Sequence, residues 1–150
     1  MKIAIASDHA GFEYKQQLLA WLKEQGHEVT DLGPATLVSD DDYPAYADAV
    51  ARQIIAQPDT KGILLCDTGQ GMAIRANKWL PIRAALCENS EKARLARSHN
   101  DSNVLALGTD VPFAQTTEIV TTWLNTPFSQ EPRHERRNLA VSQPTQNSNE

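Results

Sequence analysis

Apolar and polar positions along the chain follow two periods, one typical of buried strands and one typical of helices. Short apolar runs predict five strands, at residues 2–6, 28–32, 62–66, 83–87 and 103–107. Apolar residues at helical spacing predict five helices, at residues 12–25, 46–56, 72–78, 90–97 and 112–125. Such alternation is typical of a parallel sheet covered on both faces. We therefore predict an α/β fold, a Rossmann-like three-layer α/β/α sandwich with a five-stranded parallel sheet.

The length of the chain, 150 residues, is enough for one domain with a substantial core. From residue 138 onward the sequence turns to Ser, Gln, Asn and Pro, a composition that does not bury apolar surface. We therefore predict a single domain over residues 1–137 and a polar, disordered tail over residues 138–150.

Charge and composition exclude several classes of partner. The net charge of −5 gives no electrostatic attraction to nucleic acid or to an anionic membrane. No apolar run approaches the length of a membrane span, and the first residues are too few for a signal peptide. Two cysteines form no disulfide framework, which fits a reducing cytoplasm. We predict a cytoplasmic protein that binds neither nucleic acid nor membrane.

Polar side chains follow each predicted strand. The carboxyl ends of parallel strands share one rim, where open α/β sheets bind ligands. In strand order, the residues at this rim are Ser7-Asp8-His9-Ala10-Gly11, then Gly33-Pro34 with Asp40-Asp41-Asp42-Tyr43-Pro44, then Cys66-Asp67-Thr68-Gly69-Gln70-Gly71, then Cys87-Glu88-Asn89 and Gly108-Thr109-Asp110. The first turn lacks the Gly-x-Gly-x-x-Gly sequence of dinucleotide-binding folds, and no Walker sequence is present. Nucleotide chemistry is therefore not predicted.

The turn after the third strand places a thiol beside backbone N–H groups. The strand delivers Cys66 to the rim, and Gly69 and Gly71 let the backbone turn tightly into a helix. N–H groups at the start of a helix attract anions and favour the thiolate form of a nearby cysteine. We predict a functional site at Cys66, whereas Cys87 is predicted to be a small core residue.

Two further groups of residues lie outside this rim. His99 and Asn100 precede the fifth strand, so within one subunit they lie at the opposite rim from Cys66. His99 is either structural or is brought to the site of another copy of the chain. Arg133 and Arg137 are one helical turn apart and can hold a phosphate, although such a pair alone is more often a solvated helix face.

Taken together, these motifs closely resemble the ribose-5-phosphate isomerase B and galactose-6-phosphate isomerase family. The resemblance covers the chain from residue 2 to about residue 137. The matching pieces, in order, are Ser7-Asp8-His9-Ala10-Gly11, Asp42-Tyr43-Pro44, residues 62–78, Ile82-Arg83-Ala84-Ala85, His99-Asn100-Asp101, residues 103–108, and Arg133-His134 with Arg137.

The resemblance implies interconversion of an aldose phosphate and a ketose phosphate through an enediolate, with no metal or other cofactor. Cys66 would be the base, Thr68 and the Gly69–Gly71 amides would hold the developing oxyanion, and His99 would help to open the sugar ring. The remaining contacts fall into two groups: phosphate-binding residues His9, Arg133 and Arg137, and sugar-binding residues Asp8, Tyr43, Asp67 and Asn100.

The family is typically dimeric, which implies a homodimer with His99 supplied by the partner subunit. The sequence does not say whether such dimers pair into tetramers. It also leaves the sugar undetermined, since tetrose, pentose and hexose phosphates all fit the motifs.

Three positions depart from the family pattern. Asp67 follows the cysteine where a small residue is usual, and a carboxylate there disfavours a thiolate unless its side chain points away. Asp110 stands where many members carry an arginine, which suggests a different substrate or a phosphate held by fewer arginines. Glu131 and the proline after it replace glycines before Arg133 and could redirect that arginine.

Other interpretations of the same residues compete with the isomerase. A non-catalytic sugar-phosphate sensor is the main alternative, because Asp67 and Asp110 add negative charge to the site. A thiol redox protein is a weaker one, since no Cys-x-x-Cys pair is present. His134 is predicted to be a surface residue, and residues 40–42 are predicted to form a solvated acidic loop rather than a metal cluster.

Overall fold

A computed structural model describes residues 1–144 of the chain, and its centre is one sheet of five parallel strands. The strands are β1 (Lys2–Ser7), β2 (Glu28–Asp31), β3 (Lys61–Cys66), β4 (Ala84–Leu86) and β5 (Val104–Gly108). They lie in the order β2-β1-β3-β5-β4. The predicted five-stranded parallel sheet is confirmed.

Six helices of the described residues cover this sheet. They are α1 (Phe12–Glu24), α2 (Tyr43–Ala56), α3 (Gln70–Ala76), α4 (Ser90–Ser98), α5 (Phe113–Asn125) and α6 (Pro132–Val141). One apolar core joins α1, α4 and α5 to one face of the sheet, and a second core joins α2 and α3 to the other face. Alternate residues of each central strand enter the two cores, as the pleat requires. The predicted α/β/α sandwich is confirmed.

The start of α2 and the region of α6 differ from the sequence predictions. α2 begins at Tyr43 rather than at residue 46, because Pro44 fits the first turn, where its missing N–H is not needed. The predicted tail boundary at residue 138 is wrong, because α6 continues to Val141. The Asn138 amide donates to the carbonyl of His99 at 3.1 Å and ties α6 to the end of α4. Residues 145–150 of the predicted tail lie outside the described residues.

The strand order creates a crevice at the carboxyl ends of β1 and β3. β1 and β3 are paired neighbours. From β1 the chain continues to β2 on one side of this pair, and from β3 it continues to β4 on the other side. The helix after β1 packs on one face of the sheet and the helix after β3 on the other. Such a switch point is where open α/β sheets bind ligands. Among residues 1–144, no helix is long and apolar enough to cross a bilayer.

Candidate active site

Cys66 ends β3 inside this crevice. Only 7% of the residue is exposed, and its Sγ accepts a hydrogen bond from the N–H of Gly69 at 3.1 Å. Gly69 has a φ of 74°, a left-handed conformation that turns the chain back over the thiol. The Thr68 hydroxyl accepts the N–H of Gln70 at 3.4 Å. The thiol is therefore fixed at the beginning of α3, as the sequence predicted.

We expect Gly69→Ala to lower the free energy of unfolding by at least about 2 kcal/mol, since it adds left-handed strain and a collision. A Cβ at this position would lie 2.8 Å from the carbonyl carbon of Leu107. Gly26→Ala is the matched control, because Gly26 has a φ of 80° with nothing within 4 Å. Urea unfolding of both variants separates collision from strain. Equal losses in the two proteins would contradict the close approach at Gly69.

The loop after β1 packs directly against β3. The buried carboxylate of Asp8 accepts the N–H of Gly11 at 3.0 Å and closes the turn into α1. A Cβ at Gly11 would lie 3.0 Å from the carbonyl of Leu65, so a glycine is needed where the two chain segments touch. This contact holds the Asp8 loop against Leu65, the residue of β3 that precedes Cys66.

The first residue of α2 reaches the same crevice. A Cβ at Gly71 would lie 2.7 Å from the ring of Tyr43, so the phenol packs on the backbone of the first turn of α3. Tyr43 is 39% exposed, so this packing leaves part of the residue accessible to solvent. The structure therefore brings Tyr43 and the Cys66 turn together, as expected from the rim positions.

His9 is held by an aspartate that the sequence analysis misjudged. The prediction of a solvated loop is wrong for Asp41, whose side chain is only 7% exposed. Its Oδ1 accepts both the backbone N–H of His9 at 3.0 Å and the ring Nδ1 at 2.7 Å. The hydrogen bond to Asp41 raises the pKa of His9, and the charge of Asp8 raises it further. Although burial favours the neutral acid, the hydrogen bonds from His9 lower the pKa of Asp41.

The two unusual aspartates lie at the carboxyl ends of β3 and β5. Asp67 is exposed, and its backbone carbonyl accepts the N–H of Thr109 at 3.0 Å. The carboxylate of Asp110 lies against Gly108, which pairs in register with Cys66. Because the Asp67 side chain is solvated, water screens its charge from the thiol.

The two groups of residues predicted outside the rim do not join this crevice within one chain. They are His99, Asn100, Arg133 and Arg137, together called the second cluster below. His99 caps the C-terminus of α4, and the chain then leads into the amino end of β5, whereas Cys66 lies beside the carboxyl end of β5. The length of β5 separates the two regions, as expected from the sequence. Glu131 accepts a hydrogen bond from the Nε of Arg133 at 2.8 Å, so the unusual glutamate does engage this arginine.

His134 packs against His99, and its prediction as a surface residue is wrong. The residue is 6% exposed, and the two imidazole rings are stacked at a centroid distance of 4.2 Å and an angle of 11°. Burial lowers the pKa of His134, and the neighbouring His99 and Arg133 lower it further. His134 is therefore held as a neutral platform beneath the His99 ring.

Cys87 is a core residue, as predicted. It is 2% exposed, and burial raises the pKa of its thiol to about 11. It belongs to the core on one face of the sheet, whereas Cys66 belongs to the core on the other face. The sheet therefore separates the two thiols, which removes the basis for an intramolecular redox pair.

Two solved structures share this architecture over nearly the whole chain. A ribose 5-phosphate isomerase from Thermotoga maritima superposes with a TM-score of 0.90 and is 47% identical, covering 94% of this chain and 97% of its own. Ribose-5-phosphate isomerase B from Mycoplasma genitalium, solved with bound ribulose-5-phosphate, has a TM-score of 0.89 and 37% identity over 93% of each chain. Fold, crevice and these neighbours define the class of the protein: it is an enzyme, a sugar isomerase.

Sequence relatives identify the family. Residues 3–141 match the model of the Ribose/Galactose Isomerase family. Ribose-5-phosphate isomerase B of Mycolicibacterium paratuberculosis is 43% identical over 138 residues, which cover 91% of this chain and 87% of that protein. The enzyme of the same name from Escherichia coli is 42% identical over 143 residues, covering 94% of each chain. The chain belongs to the ribose/galactose isomerase family.

Proposed function

We propose that the protein interconverts an aldose phosphate and a ketose phosphate through a cis-enediolate, without a metal ion. Ribose 5-phosphate and ribulose 5-phosphate are the first pair to test, given the names of the relatives. The observation that carries the proposal is the Cys66 thiol held under the Gly69 N–H in the crevice between β1 and β3. Among residues 1–144, no three His, Cys, Asp or Glu side chains cluster as metal ligands.

The proposed chemistry moves one proton between two neighbouring carbons. The Cys66 thiolate takes the proton from C2 of the open-chain aldose. The electron pair of the C2–H bond forms the C1–C2 double bond of the enediolate, while the C1=O1 π bond breaks and its electron pair becomes the negative charge on O1. The same thiol then returns its proton to C1 as the C1–C2 double bond breaks, and the hydroxyl proton passes from O2 to O1 as the C2=O2 bond of the ketose forms. General-base action of this kind contributes about 10²–10⁴-fold to the rate.

The negative charge that develops on oxygen needs donors already in place. Thr68 supplies a hydroxyl, and the backbone N–H groups of Gly69 to Gly71 lie at the start of α3, where helical N–H groups have no partner within their helix. Without substrate, the Gly69 N–H donates to Cys66 Sγ and the Gln70 N–H donates to the Thr68 hydroxyl, so the oxyanion would take the place of these bonds. Removal of a single oxyanion donor typically costs about 10²–10³-fold in rate. The short turn after Cys66 would therefore serve both as the support of the base and as the oxyanion site.

We further propose that a second copy of the chain supplies the other half of each site. The second cluster has ring-opening and phosphate-binding side chains but lies at the far end of β5 in its own chain. Large apolar side chains on α3, on α6 and between α3 and β4 are exposed in the single chain, which favours burial by a partner. They are Ile74 at 63%, Leu80 at 46%, Leu139 at 67% and Val141 at 63%.

The substrate phosphate is proposed to lie between His9 of one chain and Arg133 and Arg137 of the other. Both arginines are exposed on α6, one turn apart, and can bind two oxygens of the same phosphate. Phosphate binding far from the reacting carbons supplies energy that orients C1 and C2 over Cys66.

The direct test is incubation of the pure protein in heavy water with tetrose, pentose and hexose phosphates. Proton NMR follows both conversion of aldose to ketose and hydrogen exchange at C1 and C2. We expect one substrate to be converted with exchange at these carbons. Tight binding of a sugar phosphate without any exchange would instead make the protein a sensor, an outcome that the negative charge of Asp67 and Asp110 at the rim would favour.

A further inference from the structure

Asp41 has no role in the chemistry described so far, yet it makes a short polar contact with His9, a proposed phosphate-binding residue. Its Oδ1 lies 2.7 Å from His9 Nδ1 and 3.0 Å from the His9 backbone nitrogen. The carboxylate is nine-tenths buried, whereas the His9 side chain is 44% exposed. We propose that Asp41 is a positioning residue that fixes the His9 ring and keeps it cationic for binding the substrate phosphate. This inference rests on the proposed function, in which His9 contacts that phosphate.

The geometry determines which nitrogen of His9 faces the substrate. An ionised carboxylate only accepts hydrogen bonds, so the Nδ1 of His9 must carry a proton when it bonds Asp41. The other ring nitrogen, Nε2, then has no proton in the neutral ring and can donate to a phosphate oxygen only when the ring is charged. A ring held by Asp41 therefore needs the charged state that Asp41 itself favours.

The groups around His9 all act in the same direction. Asp8 lies beside His9 on the loop after β1, and Asp40 and Asp41 lie on the loop before α2. Each of these carboxylates raises the pKa of His9. Tyr46 of α2 faces Asp41, and burial together with that carboxylate raises the pKa of the Tyr46 phenol. Tyr46 therefore stays neutral near physiological pH and adds no charge of its own.

This arrangement defines a pH range for substrate binding. A phosphate monoester becomes a dianion above a pH of about 6. His9 loses its charge only above the pKa of an ordinary histidine, because its pKa is raised. Dianion and imidazolium therefore coexist between these two limits. KM should be lowest there and should rise as the pH passes through the pKa of His9.

Asp41→Asn tests the proposal, because asparagine keeps the size of the side chain and removes its charge. We expect the titration midpoint of His9 to fall and the alkaline rise of KM to begin at a lower pH. Between the two midpoints, where His9 is charged only in the unmodified protein, KM of the variant should be about tenfold higher, the loss of one charge-assisted hydrogen bond, while kcat changes by less than about threefold. NMR of carbon-labelled histidine, with His9→Gln for assignment, measures the midpoint with and without inorganic phosphate.

Asp42→Asn is the matched control, since it makes the same charge change one residue away and Asp42 makes no side-chain capping bond. We expect its His9 midpoint and KM to match those of the unmodified protein. An unchanged His9 midpoint in Asp41→Asn would overturn the proposal. A shifted His9 midpoint with an unchanged pH profile of KM would also overturn it. Neither result would count against the proposed isomerase reaction.

A measurement on the unmodified protein keeps the proposal testable if Asp41→Asn unfolds. The midpoint of His9 should lie above that of His27, whose pKa is lowered by burial. Inorganic phosphate should raise the His9 midpoint further and leave His27 unchanged. The reverse order of the midpoints, or no response to phosphate, would overturn the role of the His9–Asp41 pair. If no sugar phosphate is converted, the proposed function fails, while these titrations still decide the pairing.

Discussion

Cys66→Ala should lower kcat on the best substrate by about 10²–10⁴-fold, because the alanine side chain has no group that can take the C2 proton. KM should change little, since phosphate contacts and oxyanion donors remain. Steady-state kinetics and proton exchange in heavy water measure both effects. The kcat of Cys66→Ser should be close to that of Cys66→Ala, because a hydroxyl at neutral pH is a far weaker base than a thiolate.

Cys87→Ala is the control for this experiment. Cys87 is buried on the opposite face of the sheet, so its loss should leave a small cavity and near-normal activity in the folded fraction. If Cys66→Ala retained the exchange of the C2 proton at the normal rate, the base would have to be another residue of the crevice.

Mixing inactive Cys66→Ala and His99→Ala chains should restore about a quarter of the normal activity if each site uses two chains. In an equal mixture with free exchange, about half of the dimers contain one chain of each kind. One of the two sites in such a dimer carries both substitutions, and the other carries neither. Activity of the mixture, followed after brief dissociation and reassembly, measures the recovery.

The control mixture combines Cys66→Ala with Cys66→Ser. Both chains are defective in the same half of the site, so every site stays defective and no activity should return. Recovery in this control would mean that mixing itself alters the assay. No recovery in the first mixture, with subunit exchange confirmed by mass spectrometry, would contradict a site shared between chains.

The sheet and the Cys66 turn could be predicted because their signals are local. Each strand is a short apolar run, and the glycines that turn the chain after Cys66 lie within five residues of it. Strand order is different in kind, because the position of β5 between β3 and β4 depends on how two helices cross the sheet. The sequence of a single strand does not determine which other strands it lies beside.

The extent of α6 and the contact of Asp41 with His9 could not be predicted, for related reasons. α6 is a strongly polar helix whose buried side chain is His134, so it carries no apolar stripe for a periodicity to detect. Asp41 was hidden among three successive aspartates, and its partner His9 is 32 positions away. Contacts at such separation appear only once the chain is folded.

Because Cys66 and His99 lie at opposite ends of β5, the activity should depend on the protein concentration. A lone chain would carry two half-sites that face away from each other, so no internal motion of the rigid sheet could join them. Under the proposed shared site, turnover per chain would fall as the protein is diluted below the dissociation constant of the dimer. The rate of turnover would then measure how much of the protein is dimeric. A sugar phosphate that contacts both chains would stabilise the dimer.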